Sequence, residues 1–273
     1  MFAIPLFDDA PMRRPSVLVW LIIIACAAVF LWQLSLPPAA ERDALISLGF
    51  VPARLFGYAR LPPRLDHAPA WTTIFTSMFL HGGWLHIAGN MLYLWIFGNN
   101  VEDAMSRPRF LLFYPLCGVA AALAQGAAAP ASTAPMIGAS GAIAGVLGAY
   151  FVLHPRANVR VLLILVVFIR VINMPAVIVL GLWFLVQFVS IATAPSAGGD
   201  VALWAHAAGF LAGVVLIPFF RDRDVPLFGG PYSPAFAVLR PGNIEPRGVR
   251  RSGSVPDAGG TPWRRRGPWE KWR

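Results

Sequence analysis

Gly138-Ala139-Ser140-Gly141-Ala142-Ile143-Ala144-Gly145-Val146-Leu147-Gly148-Ala149-Tyr150 reads as an apolar helix entered through a small-residue turn that carries one serine. A second apolar run opens on a histidine, at Ala205-His206-Ala207-Ala208-Gly209. Both polar residues stand where a membrane span should exclude them. Polar groups are costly inside a bilayer, and those retained there face a bundle interior or a water-filled cavity and mark function.

The rest of the chain supports a bilayer as its solvent. Of 273 residues, 57% are hydrophobic and 13% charged, with a mean hydropathy of +0.63, which argues against a water-soluble globule. Apolar runs near the roughly 20 residues needed to cross hydrocarbon fall at about 17–36, 84–101, 108–128, 140–154, 174–194 and 203–220. They predict an all-α membrane protein of six transmembrane helices. The first run is too long for a cleavable signal peptide and has no small-residue cleavage site after it, so it is expected to stay as an anchor.

Charge sets the orientation. With the N-terminus in the cytoplasm, eighteen of the 22 Lys and Arg residues lie inside, and only Arg42, Arg54, Arg60 and Arg64 lie outside, in one long loop. That is the distribution the positive-inside rule prefers, and it places both termini in the cytoplasm. The net charge of +9 follows the membrane in this way and does not point to nucleic acid. Cys26 and Cys117 both fall within predicted spans and read as small packed hydrophobes rather than a disulfide.

Three regions follow. Residues 1–16 are expected to form a short polar cytoplasmic lead. Residues 17–220 form the membrane core, with an external loop at 37–80 too apolar to be a solvated linker and expected to lie partly in the outer interface. Residues 221–273, rich in Pro, Gly and Arg, are expected to be a disordered basic cytoplasmic tail. The stretch Val159–Ile172, bounded by Arg160 and Arg170, is too short to span and reads as a cytoplasmic interfacial segment, with Pro175 opening the fifth span.

In this topology the second, fourth and sixth spans run in the same direction, so their first turns share one depth. That layer holds His81, His86 and Asn90, then Ser140, then His206. His86 and Asn90 are four apart and share a helix face. Gly141, Gly145 and Gly148 make a small face on the fourth span, and Gly209 and Gly213 one on the sixth. Such faces let helices approach closely in lipid, which would bring the Ser140 hydroxyl to a His206 ring nitrogen. A serine needs a base to become a nucleophile, and His206 can supply one. The oxyanion of an acyl transfer needs donors, for which the Ser140 backbone N–H, the His86 ring and the Asn90 amide are candidates. Asp200, Glu102 and Asp103 are badly placed to complete a triad, so a Ser–His dyad is the consistent assignment.

These residues resemble the rhomboid family of intramembrane serine proteases. The likeness rests on the His81–His86–Asn90 pattern, the Gly138–Gly141 run, and Ala205–Gly209 followed by Gly213, across roughly residues 17–220. It implies a six-helix rhomboid-like bundle in which Ser140 is the nucleophile and His206 the base and then the acid. His86, Asn90 and Ser140 would form the oxyanion hole, with His81, Gly138, Gly141 and Gly209 supporting the site. It further implies serine-type endopeptidase activity on single-span membrane proteins, in or near their transmembrane segment, with no metal or cofactor. The location implied is a bacterial inner membrane, with the site opening on the extracytoplasmic side. Two departures stand out. Well-studied bacterial members carry a tyrosine four residues after the nucleophile where this chain has Ala144, and the Trp-Arg pair of their external loop is matched only by Trp71-Thr72. A catalytically silent adaptor of the same fold that binds client helices is the alternative. A metal site built from His81, His86 and His206 is a third reading, one that lacks a carboxylate or thiolate at that depth.

Overall fold

The structure is a computed structural model that describes residues 2–165, 168–193 and 203–236. It opens on strand β1 (Phe2–Asp8), followed by α1 (Leu18–Ser35). The region after α1 holds α2 (Pro38–Leu48), α3 (Pro52–Leu55) and α4 (Thr73–Thr76), the last flanked by short 3-10 turns. Helices α5 (Trp84–Asp103), α6 (Arg107–Ala128) and α7 (Ser140–Leu153) come next. Strands β2 (Asn158–Leu165) and β3 (Phe168–Pro175) then lead to α8 (Ala176–Thr193) and α9 (Leu203–Phe220).

Each of the six apolar runs is a helix. Among the described residues, α1, α6 and α9 are long and apolar enough to cross a membrane, while α7 and the Ala176–Val186 part of α8 are shorter apolar helices. Large apolar side chains such as Leu21, Ile24, Leu111, Leu182, Val215 and Phe219 are exposed, as expected of a surface that meets lipid rather than water.

Helix α1 is pinned at its start to the end of α5 and, near its other end, to the segment just before α5. At its start no side chain of its own caps the helix. The buried Glu102 carboxylate does so instead, accepting the N–H groups of Val17, Leu18 and Val19 at 2.8, 3.0 and 2.9 Å. Asp103 accepts those of Arg13 and Arg14 at 2.9 and 2.8 Å. Four N–H groups at a helix start need partners, and a carboxylate there also meets the positive end of the helix dipole. Near the other end of α1, Gln33 holds the His81 backbone in a two-way amide pair, 3.0 Å in each direction. The end of α5 lies at the start of α1 and its start near the end of α1, so the two helices are antiparallel.

Helices α7 and α9 approach closely along the glycine faces read from sequence. A Cβ on Gly209 would collide with the carbonyl of Gly141, one on Gly213 with that of Gly145, and one on Gly148 with that of Phe210. On the other flank of α7, a Cβ at Gly141 would lie 2.6 Å from that of Ala121 on α6. Backbone contact of this kind substitutes for the hydrophobic drive that lipid does not provide.

Four expectations are corrected. The fold is not all-α, because β1, β2 and β3 form an antiparallel sheet in the order β1-β2-β3. Residues 1–16 are not simply a polar lead: Phe2–Asp8 pairs with β2, Ile4 opposite Leu162 and Asp8 opposite Val159, with a bulge between Pro5 and Phe7. Val159–Ile172 is most of a hairpin in which Val161 faces Ile172 and Leu163 faces Arg170. A short apolar run of β-branched residues carries no periodicity to separate strand from interfacial segment. The strand wins because β1 arrives from 150 residues away to pair with it. Pro175 ends β3 rather than opening α8.

The region after α9 also differs from expectation in its first part. Phe228 and Gly229 donate backbone hydrogen bonds to Val152 and Leu153 at the end of α7, and Phe236 donates one to Asn173 on β3, each at 2.8 Å. Residues 221–236 are therefore a strap across the sheet. The tail from 237 onward, and Asp200, lie outside the described residues.

Candidate active site

Ser140 is the first residue of α7, reached through Gly138, whose φ of +114° only glycine adopts without strain. The turn is fixed from below by a bond of 2.8 Å from the Gly138 N–H to the Ser77 carbonyl. It is fixed from the side by α5, since a Cβ at Gly138 would sit 2.7 Å from His86 Nε2. The turn therefore needs glycine twice over, for its backbone angle and for the approach of the histidine ring.

His206 stands in the first turn of α9, and its Nε2 lies 2.8 Å from Ser140 Oγ. Close packing of α7 on α9 delivers this contact. With the ring neutral and its proton on Nδ1, the hydroxyl can donate to Nε2 at that distance, which is the starting geometry for general-base activation of a serine.

His86 and Asn90 flank the turn from α5. His86 Nδ1 accepts the Gly82 N–H at 3.3 Å, so a neutral ring carries its proton on Nε2, the nitrogen that points at Gly138. The Asn90 amide nitrogen, buried, has no acceptor among the described residues. Both are donors at liberty beside the serine. His81 is set back from them. Its Nδ1 lies 3.1 Å from the Phe79 carbonyl and its ring meets that of His86 edge-on, centroids 5.3 Å apart. The structure thus gathers Ser140, His206, His86 and Asn90 at one point, with His81 behind His86. The other two histidines lie elsewhere: His67 is exposed, and His154 follows α7, with its Nδ1 3.2 Å from the Tyr232 hydroxyl.

A small cavity opens beside Ser140, walled by Met78, Gly118, Ala121, Met136, Gly141 and Ala205. Glycine and alanine on α6 leave the space, and Met78 fills its floor against Gly118. Among the described residues, no three of His, Cys, Asp and Glu converge as a set that could hold a metal ion.

A family model described as Rhomboid domain matches residues 68–223. The chain belongs to the rhomboid family. It is an integral membrane protein of a family that includes intramembrane serine proteases. It is 30% identical over 160 residues to Rhomboid-like protein 11, chloroplastic, of Arabidopsis thaliana, covering 55% of this chain and 52% of that protein. Rhomboid protease GluP of Bacillus subtilis (strain 168) is 42% identical over 79 residues, 29% of this chain and 15% of that one. Rhomboid protein 1, mitochondrial, of Saccharomyces cerevisiae is 33% identical over 98 residues, 34% of this chain and 28% of that one. The matches thus span about half or less of these curated relatives' own length.

Sequence reading missed two residues of this rhomboid site. Gln33, buried at the end of α1, positions the backbone of His81, and its signal was a lone amide in an otherwise apolar span. Trp183 on α8 packs against the His206 ring, centroids 6.0 Å apart at 45°. It gives the histidine an aromatic neighbour, which Ala144 cannot be, and no spacing rule relates residues 183 and 206.

Proposed function

We propose that this rhomboid is an intramembrane serine endopeptidase that cleaves single-span membrane proteins in or near their transmembrane segment. One observation carries the reading: the 2.8 Å contact between Ser140 Oγ and His206 Nε2. An adaptor that only binds client helices needs neither group, and still less needs them in hydrogen-bond contact.

In the proposed reaction His206 Nε2 takes the Ser140 proton as Oγ attacks the scissile carbonyl. The resulting oxyanion is met by the Ser140 backbone N–H at the start of α7, His86 Nε2–H and the Asn90 amide. Collapse releases the amine with the proton returned by His206, and water repeats the sequence on the acyl-enzyme. The cavity beside Ser140 suits a small side chain next to the bond being cut. Six spans with both termini cytoplasmic would open the site toward the extracytoplasmic side, consistent with the distribution of basic residues, and a bacterial inner membrane is the location we favour.

Labelling by a fluorophosphonate, with cleavage of a model single-span substrate in liposomes, tests the reading. Wild type is expected to label and cleave, and Ser140→Ala and His206→Ala to do neither. A wild type that neither labels nor cleaves overturns it. A cytoplasmic reporter fused after Arg223 is expected to be active, and an inactive one overturns the six-span topology.

A further inference from the structure

Two pairs of residues bracket α5, which carries the proposed oxyanion donors, and α7, which carries the proposed nucleophile. On α5, Asn90 stands at the site and Asn100 ten residues later. On α7, Ser140 stands at the site and Tyr150 ten residues later, so both partners lie about 15 Å down their helices. At the site the helices meet where Gly138 faces His86. Ten residues down, they meet where the Tyr150 ring packs edge-on to Phe97, centroids 5.0 Å apart at 81°.

One carboxylate joins them there. Asp8 Oδ2, at the end of β1, accepts the Tyr150 hydroxyl at 2.6 Å and the Asn100 amide at 2.6 Å. Tyr150 is fully buried and Asn100 nearly so. Asp8 is held in turn by the sheet. Its neighbour Asp9 pairs with Asn158 through two bonds, Asp9 N–H to the Asn158 carbonyl at 3.0 Å and Asn158 N–H to Asp9 Oδ1 at 2.8 Å, and also accepts the Ser233 hydroxyl of the strap.

We infer that Asp8 is a positioning residue for the reaction, an N-terminal clip that sets the spacing of α5 and α7 and so the distance between the Asn90 and His86 donors and Ser140. The inference rests on the protease reading above. Its logic is mechanical. Where the far end is joined only by apolar packing, here Phe97 on Tyr150, two parallel helices can slide or splay, and a donor displaced by about 1 Å from the oxyanion loses much of its worth. The clip adds directional hydrogen bonds to that packing, on residues that touch no substrate.

Full-length protein in liposomes, assayed on a model single-span substrate, separates this role from a general loss of structure. Asp8→Ala is expected to lower kcat about tenfold with KM within about twofold, the signature of a lost transition-state contact rather than lost substrate binding. Asp8→Asn, which keeps the shared acceptor oxygen, is expected to recover most of kcat. Tyr150→Phe, which removes one hydroxyl and keeps the packing, is expected to fall between them, and it decides the matter should Asp8→Ala not insert. Unchanged kcat in Asp8→Ala or, where that variant fails, in Tyr150→Phe overturns the inference while the protease reading stands. Equal loss in Asp8→Ala and Asp8→Asn also overturns it. A wild type as inactive as Ser140→Ala overturns both.

Discussion

The two ends of the helix bundle differ in what they do with their donors and their acids. At the site end, Asn90 keeps an amide nitrogen with no acceptor among the described residues, and His86 turns an N–H toward an open turn. At the sheet end, buried amide oxygens of Asn100, Asn158 and Asn173 also lack partners among the described residues, but the carboxylates are held by donors. Glu102 receives three backbone N–H groups, Asp103 two, and Asp8 a hydroxyl and an amide. An unpartnered buried donor is a standing cost of about 1–3 kcal/mol. The difference teaches that stability and reactivity are divided along the helix axes: the acids of one end are engaged in holding the bundle, and donors of the other are left for a reaction to use.

Substitutions at the two ends should therefore fail in different ways. Asn90→Ala removes one proposed oxyanion donor and is expected to lower kcat/KM by about 10²–10³-fold, or about 2.7–4 kcal/mol of barrier. The midpoint of thermal unfolding in detergent should hardly move, since no bond in the resting protein is lost. Kinetics and a melting curve on the same preparation check both halves. A large fall in the melting midpoint would break the comparison, because it would make Asn90 part of the scaffold.

Glu102→Ala should do the reverse. It leaves the N–H groups of Val17, Leu18 and Val19 without their acceptor, and bonds to a charged group are worth about 1.5–3 kcal/mol each before the solvent that replaces part of them is counted. A loss of about 3 kcal/mol is expected in chemical unfolding, with kcat/KM of the folded fraction reduced less than in Asn90→Ala. Glu102→Gln, which keeps one acceptor oxygen, should lose less. Equal stability of Glu102→Ala and wild type would remove the sheet end's claim to hold the bundle.

The two ends also differed in how far the sequence disclosed them. The site end was legible because its constraints are local and unusual: a serine in a run of glycine and alanine, a histidine inside an apolar span, and a His-Asn pair one turn apart. Helix direction alone, inferred from charge, then placed them together. The sheet end was not legible, because its partners lie far apart in the chain and are chemically ordinary. Nothing around Glu102 signals that it caps a helix beginning 84 residues earlier, nor does Asp8 announce Tyr150, 142 residues away. The sheet was missed for a related reason. Phe2–Asp8 is too short to show a pattern, and its strand exists only because Asn158–Leu165 offers an edge.

Asp8 provides the finest test of the division, through pH. Burial pushes its carboxyl up from 3.8 to about 7, an effect that the bond from Tyr150 opposes and the nearby charge of Asp9 increases. Around it stand Asp9, the residue after the strand, Asn100 from α5, Tyr150 from α7 and, from the strap, Tyr232. A carboxyl whose folded pKa is raised stabilises the fold fully below its unfolded pKa, and that contribution is lost as pH rises through the folded value. Wild type should therefore lose stability between pH 5 and pH 8 more steeply than Asp8→Asn, which has no proton to release. The difference in melting midpoint between the two is expected to change by a few degrees over that range, with the variant gaining on wild type as pH rises. Parallel curves would mean that the carboxyl does not titrate in this window, and that solvent reaches the clip despite the aromatic rings packed around it.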